Sequence, residues 1–350
     1  MKNLKHFAFA AMLALAAAQA QAKDNIDYVD PFIGTTNFSV CNPGAVCPHG
    51  LMSVVPFNVM GSDLNEQDKD SRWWSAPYEY HNKYFTGFAH VTLSGVGCPE
   101  LGTLLTMPTT GELNVDYRSY GSEYKNEVAH PGYYSNELTK YGIKCEVTST
   151  MRSSIERYTF PKGQGNLLFN LGNGLTNEIG ASLRRVSDTE FEGFRLLGTF
   201  CYNPQAVFPM YFVVRVNKAP KKSGYWKNQP EMKGAAKDWD VYSGKYKIYT
   251  NYGRDMAGND IGYFMQYDCQ EGEQIEVQVG VSFVSIANAR ENLDAEQRQK
   301  FDFAAVQSEA RKQWSRVLDK VMQKHMRADE AVRIKYDSKY ASSSNYWKNA

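Results

Sequence analysis

The residues best suited to chemistry crowd into the stretch from Tyr28 to Met107. Asp30-Pro31-Phe32-Ile33-Gly34-Thr35 opens it, and Asn42 to Gly50, Arg72-Trp73-Trp74-Ser75-Ala76-Pro77-Tyr78 and Thr86 to Pro99 follow. Glycines at 34, 44, 50, 87, 95 and 97 permit backbone conformations closed to other residues and let the main chain approach a ligand. His90, Thr92, Ser94 and Cys98 beside them are short donors and acceptors suited to hydroxyl groups. Neighbours on a strand face opposite ways, so Trp73 and Trp74 do not share one buried layer. An exposed indole flanked by Arg72 and Tyr78 would be a platform for a sugar ring. Each feature also has an ordinary structural role. Glycines between strands are most often turns, and a histidine among them is more often a satisfied structural residue than a catalyst.

Other chemistries lack their residues. No P-loop, GxSxG elbow or HExxH occurs, and Gly172-Asn173-Gly174 does not open a helix in the manner of a dinucleotide fingerprint. Ser94-Gly95 has no strand-turn-helix context and no indicated His/Asp relay. Glycoside hydrolysis needs two carboxylates across the scissile bond, and no spacing here singles out a pair. Six cysteines (41, 47, 98, 145, 201 and 269) are scattered with neither CxxC nor Cys/His zinc spacing; Cys41 and Cys47 are near enough in sequence to close a small loop.

The elements that must hold these residues are short strands from about 26 to 287. Ile275, Val277, Val279, Val281 and Phe283 alternate with polar residues, the pattern of a strand buried on one face. Ile155–Phe160, Leu167–Leu171, Tyr211–Val216 and Tyr263–Tyr267 form similar runs, cut by Pro161-Lys162-Gly163, Gly172-Asn173-Gly174 and the 253–260 segment. Many short strands without alternating helices predict an all-β protein, a large antiparallel β-sandwich, over residues 23–287. Residues 288–325 then predict an amphipathic linker helix, since Phe303, Val306, Ala310, Trp314, Val317 and Val321 recur at three- and four-residue steps. That stripe needs a partner surface. Residues 326–350 are polar, Ser/Tyr-rich and without apolar periodicity.

Charge excludes partners. Among 350 residues, 39 basic and 38 acidic side chains nearly cancel, so no field gathers nucleic acid or anionic membrane. Aromatics, at 13%, are abundant and suit either a β-rich core or sugar stacking. Lys2 and Lys5, the apolar run Phe7–Ala18 and Ala20-Gln21-Ala22 form a signal peptide over residues 1–22. Its apolar run is too short to span a bilayer, and no later stretch comes near the roughly 18 apolar residues a span requires. The expected product is exported, periplasmic or secreted, without a membrane span.

The motifs DPFIGT, PGAVCPHG, RWWSAPY, GFAHVTLSGVGCPELGTLLTMP, GTFCYNPQAVFPMYFVVRV and VQVGVSFVSIANARENLDAE occur in that order. Together they closely resemble the N-terminal half of glycoside hydrolase family 92, exported, calcium-dependent, inverting exo-α-mannosidases that dismantle mannose-rich glycans. The resemblance covers residues 26–318 and is carried by the series, not by any single motif. It implies an N-terminal sandwich against a C-terminal (α/α)6 barrel, with sandwich loops completing a mannose pocket. Cys98 would touch a mannose hydroxyl, and Gly34, Gly44, Arg72, Trp74 and His90 would stand in the same wall. His49 departs from the family, which more often has phenylalanine there. The general acid, the base and most calcium ligands of the family belong to the barrel, so no catalytic or metal residue is expected in this chain. After about Val321 the resemblance stops, and residues 326–350 read like neither half, which predicts a truncated or frame-shifted product. Three outcomes compete: a mannosidase portion whose catalytic half is missing or separately encoded, a stand-alone carbohydrate-binding sandwich, and a poorly stable product with apolar surface exposed around Trp314.

Overall fold

The structure is a computed structural model that describes residues 24–36, 41–69, 76–93, 101–102, 104–175, 177–198, 203, 205–229, 245–250, 255–298 and 300–325. Residues 1–22, expected to be a signal peptide, and the 326–350 segment lie outside the described residues, as do Arg72, Trp74 and Cys98.

Two antiparallel sheets face each other. The first has eight strands in the order β1 (Ala45–Val46), β2 (Ser53–Phe57), β4 (Gly87–His90), β5 (Leu105–Thr110), β10 (Gly163–Asn170), β17 (Ile261–Cys269), β14 (Lys222–Gln229) and β15 (Lys245–Thr250). The second has ten. From one edge these are β16 (Asp255–Gly258), β11 (Asn177–Arg185), β12 (Glu190–Gly198), β13 (Phe208–Val216) and β18 (Glu273–Ser282). The order continues through β9 (Ser153–Phe160), β8 (Ile143–Ser149), β7 (Tyr133–Leu138), β6 (Ser122–His130) and β3 (Tyr84–Phe85). All five runs read from the sequence are strands, so the all-β sandwich is the observed architecture.

Alternation explains the layers. Ile275, Val277, Val279 and Val281 of β18 are at most 1% exposed, and the expected fifth member, Phe283, lies beyond the strand and is 43% exposed. Between the sheets Phe191 meets Phe169 at 4.8 Å, Tyr263 at 4.7 Å and Phe212 at 6.2 Å between ring centroids. Such offset and edge contacts add about 0.5–1.5 kcal/mol each beyond area burial. Trp226, Tyr78, Tyr120, Tyr134 and Tyr158 are also fully buried, so much of the aromatic excess serves the interior.

A short helix, α1 (Tyr117–Tyr120), precedes β6, and the expected linker is two further helices. Ser285 caps α2 (Ile286–Gln297) by accepting from the Asn288 amide, and Arg298 ends it in the left-handed region. The second helix, α3 (Phe303–His325), begins after that break; a helix pattern alone does not show where left-handed backbone will interrupt it. Both helices lie on the ten-stranded sheet. Phe303 is 1% exposed beneath the Arg157 guanidinium, 4.2 Å away, and Trp314 Nε1 donates to the Val46 carbonyl at 2.6 Å. Arg311 pairs with Asp24 and Asp27. The apolar stripe therefore finds its partner in its own chain as far as Trp314, and Val321 remains 49% exposed.

Candidate functional site

Strand directions divide the motif segments between the two ends of the sandwich. At one end the chain leaves β4 at His90 and returns toward β5 through Leu101, which bridges to Thr92. Ser53, at the start of β2, accepts from the Thr92 amide through Oγ at 2.9 Å. Cys98 falls between these flanks in sequence, outside the described residues. Gly44 precedes β1, whose Ala45 and Val46 pair with Val54 and Ser53, and so faces the middle of β2. A Cβ there would lie 2.6 Å from Val55 Cγ2 and 2.7 Å from the Val54 carbonyl, so close packing of the 42–50 loop on β2 requires this glycine. Exposed His49 sits in that loop with a φ of 59°.

Behind this end the two sheets are joined by polar groups. His90 Nδ1 donates to the Leu104 carbonyl at 3.0 Å, and Nε2 is 2.5 Å from Glu156 Oε1, across the sandwich on β9. Tyr158 OH donates to the other oxygen of Glu156. His90, Glu156 and Tyr158 are all 0% exposed. Both ring nitrogens of His90 are engaged, which gives it the structural role and leaves no nitrogen for a sugar hydroxyl. Arg195 on β12, also 0% exposed, donates through Nη1 to the carbonyls of Gly102 at 2.8 Å and Asn173 at 3.1 Å, tying two connections of this end together.

Gly34 is placed elsewhere. With a φ of 81° it closes the 31–34 turn, and the next residue, Thr35, accepts from the Tyr80 amide at 3.0 Å. Tyr80 follows Glu79, whose amide and carbonyl both bond the Asn58 side chain, just past the far end of β2 from Ser53. Five strand residues separate these ends by about 13 Å. The segment 76–82, which follows Arg72 and Trp74 in sequence, is anchored here. Tyr78 OH donates to Glu127, Tyr134 OH donates to the same carboxylate at 2.6 Å, and Asn82 Nδ2 donates to the carbonyls of Asn58 and Gln67. A bulge in β6 between Lys125 and Val128, with Asn126 at a φ of 53°, accommodates Glu127.

Burial pushes the Glu127 carboxyl above its ordinary value, although both tyrosines oppose this by donating to it. Its folded pKa thus exceeds the unfolded one, so its contribution to stability is full below the unfolded carboxylate range and is lost as pH rises through the raised value. Glu127→Gln should therefore lessen the fall in stability as pH rises out of the ordinary carboxylate range toward neutrality. Urea melts of the two proteins across that interval check this, and identical pH profiles would reject it.

Sequence reasoning missed Glu156, Arg195 and Glu127. The first carried a signal: Glu156 lies between Ser154 and Tyr158 on the inward phase of a strand. Arg195 and Glu127 carried none, because their partners are distant carbonyls and hydroxyls. Cys47, Cys145 and Cys269 keep free thiols, so the 41–47 loop is not closed by a disulfide. Cys47 donates to the Ser149 carbonyl, and burial pushes its thiol up to about 11. Among the described residues no three His, Cys, Asp or Glu side chains assemble into a metal site.

Two packed antiparallel sheets, with Thr92 and Leu101 at the Ser53 end of β2 and the 31–35 and 76–82 segments beyond its other end, define a β-sandwich domain. Residues 28–282 match the model of the glycosyl hydrolase family 92 N-terminal domain, and the chain belongs to that family. Among solved structures it is similar to the family GH92 α-mannosidase BT3965 from Bacteroides thetaiotaomicron, at 26% identity and a TM-score of 0.70, over 84% of this chain and 38% of that one. That enzyme has also been solved in complex with mannoimidazole. The inverting family GH92 mannosidase BT2199 from the same organism shares the fold at 19% identity and a TM-score of 0.65, over 85% of this chain and 36% of that one. The chain therefore spans less than two-fifths of the length of these structures. No curated protein matches its sequence.

Proposed function

We propose that this chain is the N-terminal, sugar-facing portion of an exported, inverting α-mannosidase that acts on terminal α-mannosidic bonds of mannose-rich glycans. The observation that carries this reading is the family match over residues 28–282 together with a relative solved with mannoimidazole. In this reading Cys98 meets a mannose hydroxyl, Gly44 shapes the adjoining loop, and Arg72 and Trp74 add stacking and charge to the pocket wall. The general acid, the base and the calcium ligands come from the part of the enzyme this chain does not span, whether in one polypeptide or in a separately encoded partner. The family's 2-carboxylate chemistry cannot run without them.

The test is turnover of an aryl α-mannoside with calcium. The purified chain alone should release no aryl alcohol, and adding the barrel portion of a family member should restore release. Turnover by the chain alone would overturn this assignment of roles. Mannose binding without any gain from the barrel portion would instead favour a stand-alone carbohydrate-binding sandwich, a reading that the chain's self-contained core and its helices packed on its own sheet support.

A further inference from the structure

We propose a second saccharide-binding groove on the outer face of the eight-stranded sheet, at the end opposite Thr92 and Leu101. Strand β10 runs from Gly163 at this end to Asn170 at the other, so Gln164 stands about 20 Å from the level of Asn170. A groove of about 450 Å³ opens here between the ends of four strands. Gln164, Gln266, Asp268, Lys221, Lys222 and Thr250 line it.

Its floor is prepared. Asn166 is 0% exposed, and its Nδ2 donates to Thr109 Oγ1 and to the Gly111 carbonyl, both at 3.1 Å. That leaves Oδ1 to accept from Gln266 Nε2 at 2.9 Å and from Gln164 Nε2 at 3.4 Å. Gln164 Nε2 also donates to the Gly111 carbonyl at 2.7 Å. With their amide nitrogens held toward Asn166 and Gly111, both glutamines turn their carbonyl oxygens the other way. Lys221 pairs with Asp268 at 2.7 Å, and Lys222 has no ion-pair partner among the described residues.

The chemistry selects a neutral, hydroxyl-rich ligand. Two glutamine amides, a carboxylate, a hydroxyl and two ammonium groups bring donors and acceptors together, as the vicinal hydroxyls of a sugar require. An anion would find only Lys222 to balance it, because Lys221 is already paired with Asp268, and an apolar ligand would strand all of these groups without partners. The volume falls within the usual range for small-ligand sites. The groove would hold an outlying part of a glycan while the other end engages its terminus. This goes beyond the mannosidase reading and does not require it.

Calorimetric titration of the purified chain with mannotetraose, and separately with maltotetraose, tests it. At least one should bind with a Kd in the millimolar range, roughly 1–10 mM. Lys222→Ala and Gln266→Ala should each weaken binding at least about fivefold, and Thr250→Trp, which fills the groove, should abolish it, with thermal melts confirming the fold. Lys222 is exposed, so its variant stays informative even if Thr250→Trp fails to fold. Absence of binding by both sugars, or binding that the Lys222 and Gln266 variants leave intact, overturns the groove. Binding lost in Cys98→Ala alone would support the mannose pocket and reject the groove, whereas loss in the groove variants alone would do the reverse.

Discussion

His90→Ala should lower the unfolding free energy by about 3–5 kcal/mol, the largest effect expected of any single truncation considered for this chain. The histidine is wholly buried, and its loss leaves Glu156 facing a cavity with only Tyr158 as a donor. It also strips the Leu104 carbonyl of its side-chain donor. A carboxylate removed from water and then deprived of its partner retains the desolvation cost without the attraction that offset it. The two residues come from opposite sheets, so the damage falls on the contact between layers and not on either layer alone. Urea melts measure it. The double variant His90→Ala/Glu156→Ala should lose clearly less than the two single losses added together, because the pair acts as one unit. A loss below about 1 kcal/mol for His90→Ala would show that the pair does not hold the sheets together.

Gly280→Val should cost about 2–3 kcal/mol and displace α2 from the sheet. Gly280 sits in β18, beneath the helix, and a Cβ there would lie 2.6 Å from both the Ala289 carbonyl oxygen and Leu293 Cβ. Ala289, Leu293 and Val213 are 0% exposed in that contact, so no flexible side-chain end is available to move aside. The helix backbone must move instead. Glu296 would move with it, although it now accepts from Thr150 Oγ1, the Arg152 amide and Arg152 Nε at the β8–β9 turn. Thermal melts combined with hydrogen exchange at Ala289 and Leu293 test this. Native exchange protection in a variant with an unchanged Tm would sink the prediction.

Strand positions were legible wherever one face is buried. Ile275 to Val281 repeat with period two because the pleat sends successive side chains to opposite faces, but the second face, expected to be wet, is also buried at Gln278 and Gly280, the latter beneath α2. The helical stripe from Phe303 to Trp314 was legible for the same kind of reason, at period 3.6. The interruption at Arg298 was not, since it depends on a single left-handed residue and on how the chain must cross the sheet. The motif glycines were legible as a group but not by role. Gly44 is required by contact with β2, whereas Gly34 is required by its own φ in a turn beyond the far end of that strand.

The amino-acid sequence by itself determined the all-β class, the family and the segments that carry its motifs, because alternation and motif order are properties of the chain read locally. Tertiary structure decided which motif residues share an end of the sandwich and what each one touches. His90 shows the difference. In the sequence it is a polar residue beside glycines, more often a structural residue than a functional one but named among those of a sugar wall. Only the meeting of β4 with β9 brings Glu156 within 2.5 Å and commits the imidazole to the core, since a hydrogen bond between residues 66 apart exists only once two sheets have packed.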